Sequence, residues 1–170
     1  METAETPRRF APNAIHMVRT TEMIHVQLSQ MADQKASILM GASFVTFTIM
    51  INQGRSGTPP LPLLILGLFA FGSAVMTVLA IIPKTRMPAG VPLNLLFFGS
   101  FTQLSQDDFV DRMIETMADE ETMLRAMAVD LYGNGQVLQR KKYRRLELAY
   151  KVFLTGLIVS ALAFVGQHIR

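Results

Sequence analysis

Six basic residues and two tyrosines lie in one short segment, residues 140–151. Arg140 and Arg144 are four residues apart, so a helix would place them one turn apart, with the ring of Tyr143 beside them. Guanidinium groups next to an aromatic ring suit a small anion that carries a phosphate and a flat base. Two other interpretations stay open: the segment flanks a membrane span and faces anionic lipid, or it pairs with an acidic helix.

Groups for catalysis or metal binding do not form a recognisable set. His16, His25 and His168 are scattered, and no combination of His, Asp and Glu has the spacing of a metal site. The sequence contains no serine or cysteine nucleophile motif, no P-loop and no G-x-G-x-x-G pattern. The carboxylates of residues 107–121 are expected on the solvated face of an amphipathic helix. We therefore predict no catalytic residues, no metal, no cofactor and no enzymatic activity.

Three nearly uncharged runs predict membrane spans. The chain has 170 residues, 50% of them hydrophobic, and a mean hydropathy of +0.31. A helical span needs about 20 apolar residues; the run 61–83 meets this length directly. The runs 36–51 and 152–166 reach it with polar residues that extend to the interface. The fold class predicted is an all-α integral membrane protein, with three transmembrane helices at about 34–52, 61–83 and 150–168 and long cytoplasmic helical extensions.

The distribution of basic residues predicts the orientation of the spans. Four basic residues precede the first run and ten lie in 84–151, whereas Arg55 and Arg170 are the two on the opposite side. Because basic residues are retained in the cytoplasm, the N-terminus is predicted inside and the C-terminus outside. The charged start of the chain has no cleavage pattern, so a secretory signal is not expected. Nucleic-acid binding is disfavoured because the basic segment lies beside the membrane.

Charged helices are predicted in the cytoplasm. Residues 1–14 are predicted as a flexible tail, followed by a helix that runs into the first span. Ser105 is predicted to cap an acidic helix, since residues 107–130 contain eight acids and two bases, a net charge of −6. Residues 133–135 (Gly-Asn-Gly) are predicted to end or kink this helix. Residues 136–151 contain six bases and one acid, a net charge of +5.

Small residues in the spans predict association between chains. Ser37 and Gly41 are four residues apart, and so are Gly156 and Ser160. Small side chains let helices approach closely in lipid. The oppositely charged segments offer a further contact between copies. We therefore predict a homo-oligomer in the bilayer.

Several short motifs resemble the transmembrane domain of the Pycsar effectors. They are ADQKA at 32–36, PLNLLFF at 92–98, DLY at 130–132, VL at 137–138, KY at 142–143 and AY at 149–150. Their order and their placement relative to the spans agree with that family. The resemblance covers residues 15–168, within which 84–149 is the predicted cytoplasmic helical segment.

The resemblance implies an effector of bacterial antiphage defence in the inner membrane. In such abortive-infection systems a partner cyclase makes a cyclic pyrimidine mononucleotide, cCMP or cUMP, and the effector then disrupts the membrane. A nucleotide of this kind would meet Arg140, Arg144 and Tyr143, and Asn94 would add an amide. No segment is long enough for a separate β-barrel nucleotide-binding domain, so the helices themselves would sense it. The alternative is a constitutive inner-membrane anchor or scaffold that recruits a soluble partner.

Overall fold

The computed structural model describes residues 8–55, 57–83 and 92–169, apart from the side chain of His168. All regular secondary structure in these ranges is helical, which confirms the predicted all-α class. In chain order the helices are α1 (Ala14–Arg55), α2 (Leu61–Ile81), α3 (Phe98–Phe101), α4 (Gln106–Met117), α5 (Glu120–Val137), a π-helical segment (Leu138–Tyr143) and α6 (Arg144–His168). The first seven residues of the predicted tail lie outside the described residues.

Three helical stretches are long and apolar enough to cross a membrane. They are α1, α2 and the continuous stretch Glu120–Gln167. As predicted, α1 runs from the charged start of the chain into the first apolar run without interruption. Large apolar side chains point outward from these helices: Ile38 and Phe44 are each 70% exposed, and Leu162 is 67% exposed. A helix surface of this kind suits lipid rather than water.

The chain divides into two compact units. The first comprises Met1–Val26 and Pro83–Gln136, and the second comprises Gln27–Ile82 and Val137–Arg170. The second unit contains α2, α6, the π-helical segment and most of α1. Its core consists of small and medium side chains: Ala32, Ala36, Leu39, Leu146 and Ala149. Alanine at these positions lets the helices lie close together.

Hydrogen bonds between helices reinforce the second unit. The hydroxyl of Ser73 donates to the carbonyl of Ala149 at 2.9 Å, and that of Ser160 donates to the carbonyl of Pro62 at 2.7 Å. Both bonds join α2 to α6. In lipid, hydroxyl groups that find such partners help helices associate.

The small-residue pair Gly156 and Ser160 packs within the chain rather than between chains, contrary to the prediction. Phe69 lies so close to Gly156 that a Cβ at this glycine would overlap the Cβ of Phe69. The other pair remains open: Ser37 is exposed, and a Cβ at Gly41 would meet no described atom within 4 Å beyond the adjacent residues and the backbone of its own helix. Association of copies through this second face stays a prediction.

Two side-chain caps define the acidic helices of the first unit. The predicted cap Ser105 is confirmed, because its Oγ accepts the backbone N–H of Asp108 at 3.1 Å. The acidic region is nevertheless two helices, since α4 ends at Met117 and Asp119 caps α5. Asp119 Oδ2 accepts the hydroxyl of Thr122 at 2.7 Å and its backbone N–H at 2.8 Å. These bonds hold the pKa of Asp119 below its ordinary value.

The predicted helix end at residues 133–135 is wrong. Helix α5 continues through Gly133 and Gly135 to Val137, where the π-helical segment follows. Gly135 instead allows a close contact, because a Cβ there would lie 3.2 Å from Cε1 of His25. Glycine at position 135 therefore makes room for the imidazole ring of His25 and does not mark a turn of the chain.

Candidate functional site

The π-helical segment lies within the basic region and sets the spacing of its arginines. The backbone N–H of Arg144 reaches the carbonyl of Gln139, five residues earlier, which is the wide hydrogen bond of a π-helix. Such turns inside α-helices are frequent at functional sites. Because a π-turn takes more than four residues, Arg144 falls just short of one turn after Arg140. The two residues therefore stay on about the same side of the helix.

Arg140 and Arg144 are both exposed. Neither guanidinium group has a hydrogen bond or an ion pair to another residue in the described part of the chain. The nearest acid in sequence is Glu147, and it is paired with Lys151 at 2.5 Å. The two arginines are therefore available to an anion that arrives from solution.

Tyr143 lies between the two arginines and is fixed by its hydroxyl group. The ring is partly buried, and Tyr143 Oη donates to the carbonyl of Leu28 on α1 at 2.9 Å. Since this donor is already used, Tyr143 would contribute a ring face to a ligand rather than a hydrogen bond. A ring face is what stacking against a flat base requires.

The ammonium group of Lys142 is bound to other side chains of the fold. The sequence alone did not reveal this. Its Nζ lies 2.7 Å from Asp33 Oδ2 and 2.7 Å from Ser29 Oγ, and its side chain is 18% exposed. Arg145 is also engaged, because its Nη1 donates to the carbonyl of Leu79 at 2.7 Å. The bond between Lys142 and Asp33 joins two of the motifs that carry the family resemblance, ADQKA and KY.

Asn94 belongs to the first unit, where its side chain supports the loop before α3. Asn94 Nδ2 donates to Asp130 Oδ1 at 2.8 Å, and Asn94 Oδ1 accepts the N–H of Leu96 at 2.9 Å. Asp130 is 6% exposed, and its other oxygen accepts Asn134 Nδ2 at 2.9 Å. A role of Asn94 in binding a ligand stays a prediction, but its amide oxygen and one N–H already serve the fold.

The structure thus places the four predicted site residues in two groups. Arg140, Tyr143 and Arg144 lie on one helical stretch of the second unit, whereas Asn94 lies in the first. Sequence reasoning missed the buried carboxylate of Asp130. The one available signal was its position four residues before Asn134, a spacing at which amide and carboxylate side chains bond on a helix. Within the described residues, no three His, Cys, Asp or Glu side chains are arranged to hold a metal.

Comparison with known proteins gives one match. A family model described as PycTM, the Pycsar effector protein domain, matches residues 16–167. No curated protein and no solved structure matches the chain. The matched range includes most of both units and all four predicted site residues.

Proposed function

This chain belongs to the Pycsar effector protein domain family, and from that membership we propose that it disrupts the bacterial inner membrane during phage infection. The proposed trigger is a cyclic pyrimidine mononucleotide, cCMP or cUMP, made by a partner cyclase. Three apolar helices and a family of transmembrane effectors support a membrane protein of antiviral defence. The observation that carries the nucleotide proposal is the pair of exposed arginines on either side of Tyr143, neither of which has a hydrogen bond or ion pair to a described residue.

The proposed mechanism begins at these arginines. The helix that carries them continues without a break to Gln167, so a displacement at the basic segment moves the third apolar run. A nucleotide can drive this change only if it binds one arrangement of the helices more tightly than the other. We propose that several copies act together, with the open face at Ser37 and Gly41 available for contact. This mechanism requires no catalytic residue and no metal.

Reconstituted vesicles test the trigger. The protein is inserted into vesicles with a potassium gradient, and the membrane potential is followed with a voltage-sensitive dye. We expect cCMP or cUMP to collapse the potential, and cAMP at the same concentration to leave it intact, because a pyrimidine is recognised. Correctly inserted protein that responds to none of the three nucleotides would favour the constitutive anchor instead.

The orientation is testable separately. Fourteen basic residues flank one side of the predicted spans and two flank the other. Reporter fusions at residues 10 and 105 are therefore expected in the cytoplasm, and fusions after residue 54 and at the C-terminus outside. A C-terminal reporter that is active in the cytoplasm would remove the third span from this topology.

A further inference from the structure

An open groove of about 440 Å³ runs along α6 in the second unit. Its lining extends from Tyr143 to Leu157, which corresponds to about 21 Å of α-helix. The part beyond Lys151 is lined by apolar side chains, among them Phe153 and Leu154. Leu154 is 55% exposed and Leu157 is 41% exposed, so the chain itself leaves this half uncovered.

Charged residues lie in the other half of the groove. Lys35 and Lys151 both line it, together with Glu147. Tyr150 Oη donates to the carbonyl of Lys35 at 2.9 Å, which places Lys35 beside the residue that precedes Lys151. Lys151 is paired with Glu147, whereas Lys35 Nζ has no hydrogen bond or ion pair to any described residue. One lysine of the groove lining is therefore left without a partner among the described residues.

We propose that the groove binds one anionic phospholipid. Its phosphate lies at Lys35 and Lys151, and one acyl chain lies along Phe153, Leu154 and Leu157. Along the groove, the lining residues change in the same order as the regions of a bilayer. Cations and a tyrosine correspond to the interface, and apolar side chains correspond to the hydrocarbon core. An apolar helix of a second copy fits less well, because it would take Lys35 out of water without supplying an anion.

The tyrosines of the groove allow a direct test by fluorescence. The chain contains no tryptophan and three tyrosines, and two of the tyrosines, Tyr143 and Tyr150, line the groove. In a Tyr132→Phe background these two are the remaining emitters. The protein is placed in phosphatidylcholine bilayers that contain a small fraction of lipid with brominated acyl chains, which quench fluorescence on contact. Brominated phosphatidylglycerol is expected to quench more strongly than brominated phosphatidylcholine at the same mole fraction.

Charge variants assign this preference to the groove. Lys35→Gln is expected to reduce the preference for phosphatidylglycerol about fivefold, since one lysine near a membrane contributes about that factor. Lys35→Arg should preserve the preference, and Glu147→Gln should increase it by freeing Lys151. Lys141→Gln removes a cation of the same segment outside the groove and should leave the preference unchanged.

Two results would overturn the proposal. One is equal quenching by the two brominated lipids, with no change in Lys35→Gln. The other is the absence of quenching by either lipid while the protein is dimeric, which would assign the groove to a second copy. Neither result depends on the response to nucleotides, so failure of the lipid site is distinguishable from failure of the proposed function.

Discussion

Replacing Gly156 by alanine is expected to lower the thermal unfolding midpoint of the detergent-solubilised protein by about 4–8 °C. A Cβ at this position would overlap the Cβ of Phe69, an atom fixed to the backbone of α2. The clash can be relieved only if α2 and α6 move apart. Overpacking of this kind costs about 1–3 kcal/mol, at the upper end here, and the helix propensity of alanine offsets about 1 kcal/mol. Size-exclusion chromatography after heating measures the midpoint.

Two other glycines provide matched controls for this prediction. A Cβ at Gly166 would meet no described atom within 4 Å beyond the adjacent residues and the backbone of its own helix, so Gly166→Ala should keep or slightly raise the midpoint. A Cβ at Gly67 would meet the thioether of Met50, which is flexible and can rotate away, so Gly67→Ala should have an intermediate effect. Equal midpoints for Gly156→Ala and Gly166→Ala would contradict the close packing of α2 against α6.

The membrane part of the fold could be predicted from the sequence because its signals are local. Runs without charge identify the apolar helices, and Ser105 followed by acids identifies a cap. The break at Asp119 was not predictable from periodicity, because the apolar residues Met113, Met117 and Leu124 keep a helical spacing across it. Gly133 and Gly135 led to the prediction of a helix end that the structure does not show. They are permissive for turns, but the tight contact of His25 with Gly135 depends on tertiary packing that no local pattern reports.

The candidate site was only partly predictable. A count of charges treats every cation of the basic segment alike. The structure distinguishes cations that are bound to another described residue from those that are not. Lys142 is bound to Asp33, a residue 109 positions away in sequence, and such a pair has no local signature. Exposure together with the absence of a partner among the described residues, which only the structure gives, separates Arg140 and Arg144 from the other cations of the basic segment.

The second large effect is expected when Arg140 or Arg144 is replaced. Arg144→Ala and Arg140→Ala are each expected to shift the nucleotide concentration needed for depolarisation upward by tenfold or more. The reason is that a charge-assisted contact to a phosphate contributes about 1.5–3 kcal/mol. Since neither side chain has a partner among the described residues, expression, insertion and the unfolding midpoint should stay unchanged. The measurement is the vesicle dye assay, titrated with cCMP and cUMP.

Variants of two neighbouring lysines test whether the weaker response to nucleotide comes from a lost contact with the ligand. Lys142→Ala leaves Asp33 without its cation, so it should lower the unfolding midpoint whether or not nucleotide is present. Lys141→Ala, which removes a neighbouring charge that has no place in the predicted site, should change neither quantity. If the arginines only face lipid headgroups, Arg140→Ala and Arg144→Ala should behave like Lys141→Ala, because the remaining basic residues still hold the segment at the membrane. An unchanged nucleotide titration in both arginine variants would therefore exclude this site and assign the trigger to another surface of the chain.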